Sequence, residues 1–95
     1  MKLFSLTILF ASSLVFAAEN KIKMNFNNED ITKIIETYSK ASDQTFVVDP
    51  GVRAKASIFI SEAVDIPEAF NLLSSALAVQ GFGISKQGNT YVVPP

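Results

Sequence analysis

With 95 residues, no histidine, no cysteine and a formal charge of −1, the chain has room for one small domain and lacks the common equipment of catalysis. Missing imidazoles and thiols remove the usual general base, the usual thiol nucleophile, disulfide staples and most transition-metal ligand sets. A near-neutral balance without a basic face also argues against nucleic acid or an anionic membrane as partner.

Met1 to Ala18 carries Lys2, the apolar run LFSLTILFASSLVFA and small residues around Val15, Ala17 and Ala18. This is the pattern of a secretory signal peptide, with cleavage expected after Ala17 or Ala18. The rival reading is an uncleaved membrane anchor, but the run is shorter than the roughly 20 residues a span prefers. A lipoprotein is excluded, because no cysteine can carry the lipid. Removing the leader also removes Lys2 and makes the remaining domain, residues 19–95, one unit more negative. A domain of that size without disulfides must rely on its packing or on association.

Ile22, Met24 and Phe26 alternate with Lys21, Lys23 and Asn25, the period of a half-buried strand. Outward lysines are typical of a sheet edge protected against stray pairing. Asn28 is then placed to cap a helix, with Glu29 and Asp30 at the positive end of its dipole. Ile31, Ile34, Ile35 and Tyr38 form one apolar stripe, and the helix is expected to end near Ser42 and Asp43. Thr45 to Val48 is a short apolar run that reads as a central strand covered on both faces, closed by the Asp49-Pro50-Gly51 turn.

The segment Lys55 to Ser61 reads as another strand, with Ala56, Ile58 and Ile60 on one face and Ser57, Phe59 and Ser61 on the other. Phe59 is the odd residue there. Either it packs beneath a neighbouring segment of its own domain or it is an exposed partner-binding aromatic. Asp65, Pro67 and Glu68 mark a second helix start, and Ala69, Phe70, Leu73, Ala76 and Leu77 make its buried stripe. Gly81 provides the stop. Phe82 to Lys86 and Thr90 to Val93 read as a hairpin around Gln87-Gly88-Asn89, and Pro94-Pro95 cannot continue a ladder. The predicted order is strand, helix, strand, strand, helix, strand, strand.

No residue set here resembles a catalytic constellation. Glu29, Asp30, Asp49 and Asp65 are explained by caps and turns, no serine sits in a nucleophile elbow, and Gly81-Phe82-Gly83 follows a helix instead of opening one. An enzyme is not expected, nor any cofactor, metal or small-molecule substrate.

Phe26-Asn27-Asn28-Glu29-Asp30-Ile31, Ile34-Ile35, Phe46-Val47-Val48-Asp49-Pro50-Gly51-Val52 and Lys55-Ala56-Ser57-Ile58 resemble the secretin and TonB N-terminal short domain. The closest likeness is to the first periplasmic domain of type II secretion and type IV pilus secretins, and Pro67 to Leu77, Gly81-Phe82 and Thr90 to Val93 resemble its remainder. Ala54 departs from a glycine usual in that family, and Ala56 from a larger aliphatic. Secretins run on into further periplasmic domains and a membrane β-barrel, so the sequence is either a stand-alone adaptor or a piece of such a protein.

The resemblance implies an α+β fold of two helices packed on small mixed β-sheets, located in the periplasm. It implies docking of a secretin onto inner-membrane secretion platform proteins, with self-association in a ring. The transducer branch of the family implies an alternative, contact with an anti-sigma regulator. For either role the outward residues Lys21, Lys23 and Asn25, with Ser57, Phe59 and Ser61, are the expected partner contacts, because exposed strands offer main-chain hydrogen bonds and alternate side chains.

Overall fold

The computed structural model describes residues 21–95, so the expected leader lies outside the described residues. Nine elements follow one another: β1 (Lys21–Ile22), β2 (Phe26–Asp30), α1 (Ile31–Ser42), β3 (Thr45–Val48), β4 (Lys55–Ile58), β5 (Val64–Asp65), α2 (Ile66–Val79), β6 (Ser85–Gln87) and β7 (Thr90–Val93). Two helices pack against three small sheets: β1 with β5, β2 with β4, and a mixed sheet ordered β3-β7-β6. The fold is α+β, as the family resemblance implies.

The helices form where the sequence places apolar stripes. Ile31, Ile34, Ile35 and Tyr38 of α1 are buried, and so are Ala69, Leu73, Ala76 and Leu77 of α2. Asp65 caps α2 by accepting the Glu68 N–H at 3.1 Å, which satisfies one of the donors a helix start leaves unpaired. At the other end Gly81 has φ 86°, its N–H donates to the Ala78 carbonyl, and the Phe82 N–H donates to Leu77. That pair of bonds is a Schellman closure, which needs the left-handed residue glycine supplies.

The start of α1 differs from the expectation. Its N-cap is Asp30, without a side-chain cap bond, and no acid lies in its first turn. The Ile31 N–H is satisfied by the Ala54 carbonyl at 2.9 Å. Asn28, expected as the cap, sits two residues earlier in β2 at φ 51°. Strand pairing with β4 continues as far as Asp30 opposite Lys55, and so delays the helix.

Three strand expectations are also corrected. The predicted first strand divides, because Ile22 pairs with Val64 in one sheet and Phe26 with Ile58 in another. The alternation survives the change of partner: Ile22 and Met24 are buried while Lys21, Lys23 and Asn25 are exposed. Second, β3 is an edge strand and β7 is the central one, and only one face of β3 is covered: Phe46 and Val48 pack against the core while Val47 is 54 % exposed. Third, the hairpin strand expected at Phe82 to Lys86 is Ser85–Gln87, with Gly88 at φ 64° in its turn. Phe82 and Ile84 instead pack against the core.

A closed circuit of four rings ties the elements together. Tyr38 of α1 meets Phe46 of β3 edge-on at 5.8 Å and Phe70 of α2 at 5.9 Å, and Tyr91 of β7 lies 5.2 Å from both Phe46 and Phe70. Pairs of this kind contribute about 0.5–1.5 kcal/mol each beyond their buried area. Burial raises the Tyr38 phenol above the ordinary tyrosine value of 10.0. The folded chain then holds this proton more tightly than the unfolded chain, so stability is complete below that value and falls as pH rises through it. Urea midpoints measured from about pH 8 to about pH 11 should therefore decline for the wild type and less steeply for Tyr38→Phe. Parallel declines would assign the loss to other groups.

Candidate protein-docking surface

The β2–β4 pair has an irregular but well-tied geometry. Phe26 faces Ile58 and Glu29 faces Ala56, so Asn27 and Asn28 together oppose Ser57 in a bulge. Asparagine tolerates the left-handed conformation this requires. The Asn28 N–H donates to Ser57 Oγ at 2.8 Å, so a side chain replaces the ladder acceptor that the bulge displaces. Beyond the regular pairing, Asn25 Oδ1 accepts the Ile60 N–H at 3.2 Å and keeps the two strands side by side past Ile58.

This arrangement fixes which way β4 and its continuation point. Ala56, Ile58 and Ile60 turn inward; Lys55, Ser57 and Phe59 turn outward. Phe59 is 75 % exposed, so it does not pack beneath another segment of its own domain. An aromatic side chain held in water forgoes about 1.5–3 kcal/mol of burial that a partner surface could supply.

The structure thus brings Asn25, Ser57 and Phe59 together on one ribbon. Asn25 and Ser57 also hold that ribbon in shape through their own hydrogen bonds. Lys21 lies elsewhere, opposite Asp65 in the β1–β5 pair, and Lys23 is exposed between β1 and β2. Ser61 is exposed just after Ile60, the residue bonded to Asn25.

At the far end of the ribbon Asp30 stands opposite Lys55. These two residues, with Thr32, Val52 and Arg53, border a surface groove of about 460 Å³. Sequence reading did not single out this groove, because Arg53 and Val52 reach it only through the turn that brings Ala54 onto the start of α1. It also passed over Val47 and Val79, exposed by 54 % and 81 %. For Val47 the cue was its alternation with Phe46 and Val48, outweighed by the fully apolar look of the run.

Among the described residues no group of acids could hold a metal ion. Asp49 Oδ1 accepts the Gly51 N–H at 2.7 Å, and Asp65 caps α2, so both acids serve the backbone as expected.

Comparison with known proteins agrees with this picture. The secretin PulD of Klebsiella pneumoniae is 31 % identical over 88 residues, which are 90 % of this chain and 13 % of the relative. The chain therefore spans only a small part of that secretin. The structure of the N0 domain of the type II secretin from enterotoxigenic Escherichia coli superposes with a TM-score of 0.66 at 25 % identity, covering 74 % of this chain and 88 % of that one. A chain of the K. pneumoniae type II secretion system outer membrane complex, which comprises PulD, PulS and the PulC HR domain, superposes with a TM-score of 0.66 at 26 % identity over 75 % of this chain and 12 % of that one. Residues 24–93 match the family model described as GspD-like, N0 domain, and the chain belongs to that family.

Proposed function

We propose that the chain is a non-catalytic periplasmic docking domain of a type II secretin, joining the secretin to an inner-membrane component of the secretion platform. The observation that carries this reading is Phe59, an aromatic side chain 75 % exposed just past the end of β4, on a stretch tied to its neighbour by the hydrogen bonds of Asn25 and Ser57. Rigid placement of an exposed ring lowers the ordering cost of association. Lys23 and Ser61 border the contact, and Lys21, on the separate β1–β5 pair, would belong to it only if the partner reaches past the ribbon. Their exposure suits a polar border around an aromatic anchor.

Membership of the N0 family supports this role. So does the composition of the K. pneumoniae complex, in which the HR domain of PulC accompanies the secretin. The relatives favour type II secretion over the type IV pilus, and secretin docking over the transducer-type contact with an anti-sigma regulator. Export by the Met1 to Ala18 leader would place the domain in the periplasm, and self-association of secretin copies in a ring would present many such faces side by side.

The test is photo-crosslinking in cells from an unnatural residue at position 59, with the captured protein identified by mass spectrometry. An inner-membrane secretion component is the expected adduct. An anti-sigma regulator would move the domain to signalling, and no adduct from a folded protein would remove Phe59 from the interface.

A further inference from the structure

The groove of about 460 Å³ at the far end of the β2–β4 ribbon is lined by three charged groups, Asp30, Arg53 and Lys55, with Thr32 beside them and Val52 and Ala54 in its apolar part. Asp30 and Lys55 stand opposite each other in the ladder. They nevertheless form no ion pair, and Arg53 has no acid partner among the described residues; the pairs that do form join Lys33 and Lys40 to Glu36.

The backbone that carries the two cations is held at three points. The Val52 N–H donates to the Asp49 carbonyl at 2.9 Å, the Ala54 carbonyl accepts from the Ile31 N–H at 2.9 Å, and the Lys55 carbonyl accepts from Gln80 Nε2 at 3.0 Å. Val52, only 2 % exposed, anchors the same stretch in the core. Arg53 and Lys55 are both exposed. Two unpaired cations are thus offered to solvent from a fixed main chain, which lowers the ordering cost of an ion contact.

The charges define what fits. Two cations and one carboxylate leave the groove one positive charge, in a chain whose formal charge is −1. A single carboxylate brings the groove to neutrality, and its two oxygens match the planar guanidinium fork. A phosphate dianion would overshoot and be repelled by Asp30, and a cation would meet two like charges for one acid. The Thr32 hydroxyl can donate to the same carboxylate, and Asp30 can accept a peptide N–H. The apolar part of the lining suits the methylenes of an acidic side chain.

We infer that this groove receives the carboxylate side chain of a glutamate or aspartate from a partner polypeptide, with Arg53 and Lys55 as its ion partners. The inference rests on the reading of the domain as a docking module and adds to it a charge-selective contact. Lys55 lies four strand residues, about 13 Å, from Phe59, so one partner can reach both.

The experiment follows backbone and arginine side-chain NMR signals of the intact chain during titration with N-acetylglutamate methylamide. N-acetylglutamine methylamide, acetate and inorganic phosphate are the comparison probes. Saturable shifts at Thr32, Arg53 and Lys55 are expected from the glutamate probe, with the glutamine analogue binding about fivefold or more weakly, the size that two exposed ion pairs supply. Arg53→Gln should weaken the glutamate probe by about threefold. Lys40→Gln, which removes a cation from the other end of α1, should leave it unchanged. Equal binding of the glutamate and glutamine probes, an equal loss in Lys40→Gln, or no shift at the groove overturns the inference. So does tighter binding of phosphate or acetate, since the groove would then be a site for a free anion. The probe comparison on the wild type decides the matter even if Arg53→Gln folds poorly. An adduct from position 59 without a carboxylate preference here would keep the docking reading and remove only this contact.

Discussion

Replacing Phe59 by aspartate is expected to weaken capture of the proposed inner-membrane partner by about 30-fold or more, while the domain still unfolds in one cooperative step. The size follows from what an anchor residue does. Truncating a central interface aromatic costs about 2 kcal/mol or more, and an unpaired carboxylate pressed against an apolar surface adds its own desolvation. The fold should be spared, because Phe59 is 75 % exposed and makes no part of the buried core. Substitutions at such positions usually change stability by less than about 0.5 kcal/mol. Affinity for the partner and a urea titration of the same protein separate the two effects. A variant that binds normally would exclude Phe59 as anchor, and one that fails to fold would show the ring to be part of the core.

The largest effect on stability is expected within α2, from two substitutions that remove similar groups. Leu73 has 0 % exposure and Val79 is 81 % exposed. Leu73→Ala removes buried methyls and leaves a cavity between the helices and sheets, which costs about 2–5 kcal/mol. A domain of this length has a total stability on the order of 5 kcal/mol. The melting temperature should therefore fall by about 10 °C or more, with partial unfolding at ambient temperature in the worst case. Val79→Ala takes nothing from the interior and should stay within about 0.5 kcal/mol of the wild type. Circular dichroism melts of the two variants decide the matter. Equal losses would mean that α2 is not docked by the face that carries Leu73.

The exposure pattern of the proposed docking surface was legible in part. The alternation of Lys21, Lys23 and Asn25 with Ile22 and Met24 already sorts exposed from buried, and the structure keeps that sorting. That Ser57 and Phe59 share a face follows from their spacing, and both are exposed. The sequence could not show that Ser57 Oγ accepts the Asn28 N–H, or that Asn25 reaches Ile60, because each bond joins residues about thirty positions apart. Nor could it choose between a buried and an exposed Phe59, since that depends on whether another segment covers the ribbon.

Local chemistry determined the two helices of this protein, their buried stripes, the Asp65 cap, the Gly81 stop and the Gly88 turn. These depend on a period of 3.6 residues, on one side chain reaching a nearby N–H, or on a positive φ. Tertiary structure alone decided the rest. β3 is an edge strand because its parallel partner β7 has its other side taken by β6, and Val47 is exposed because it alternates with Phe46 and Val48 onto the opposite face of the sheet. Asn28 became a bulge instead of a cap because β4 pairs with β2 up to Asp30. An apolar strand or a capping residue carries the same local preference in either setting, and the choice falls to whichever distant segment supplies the hydrogen bonds and the cover.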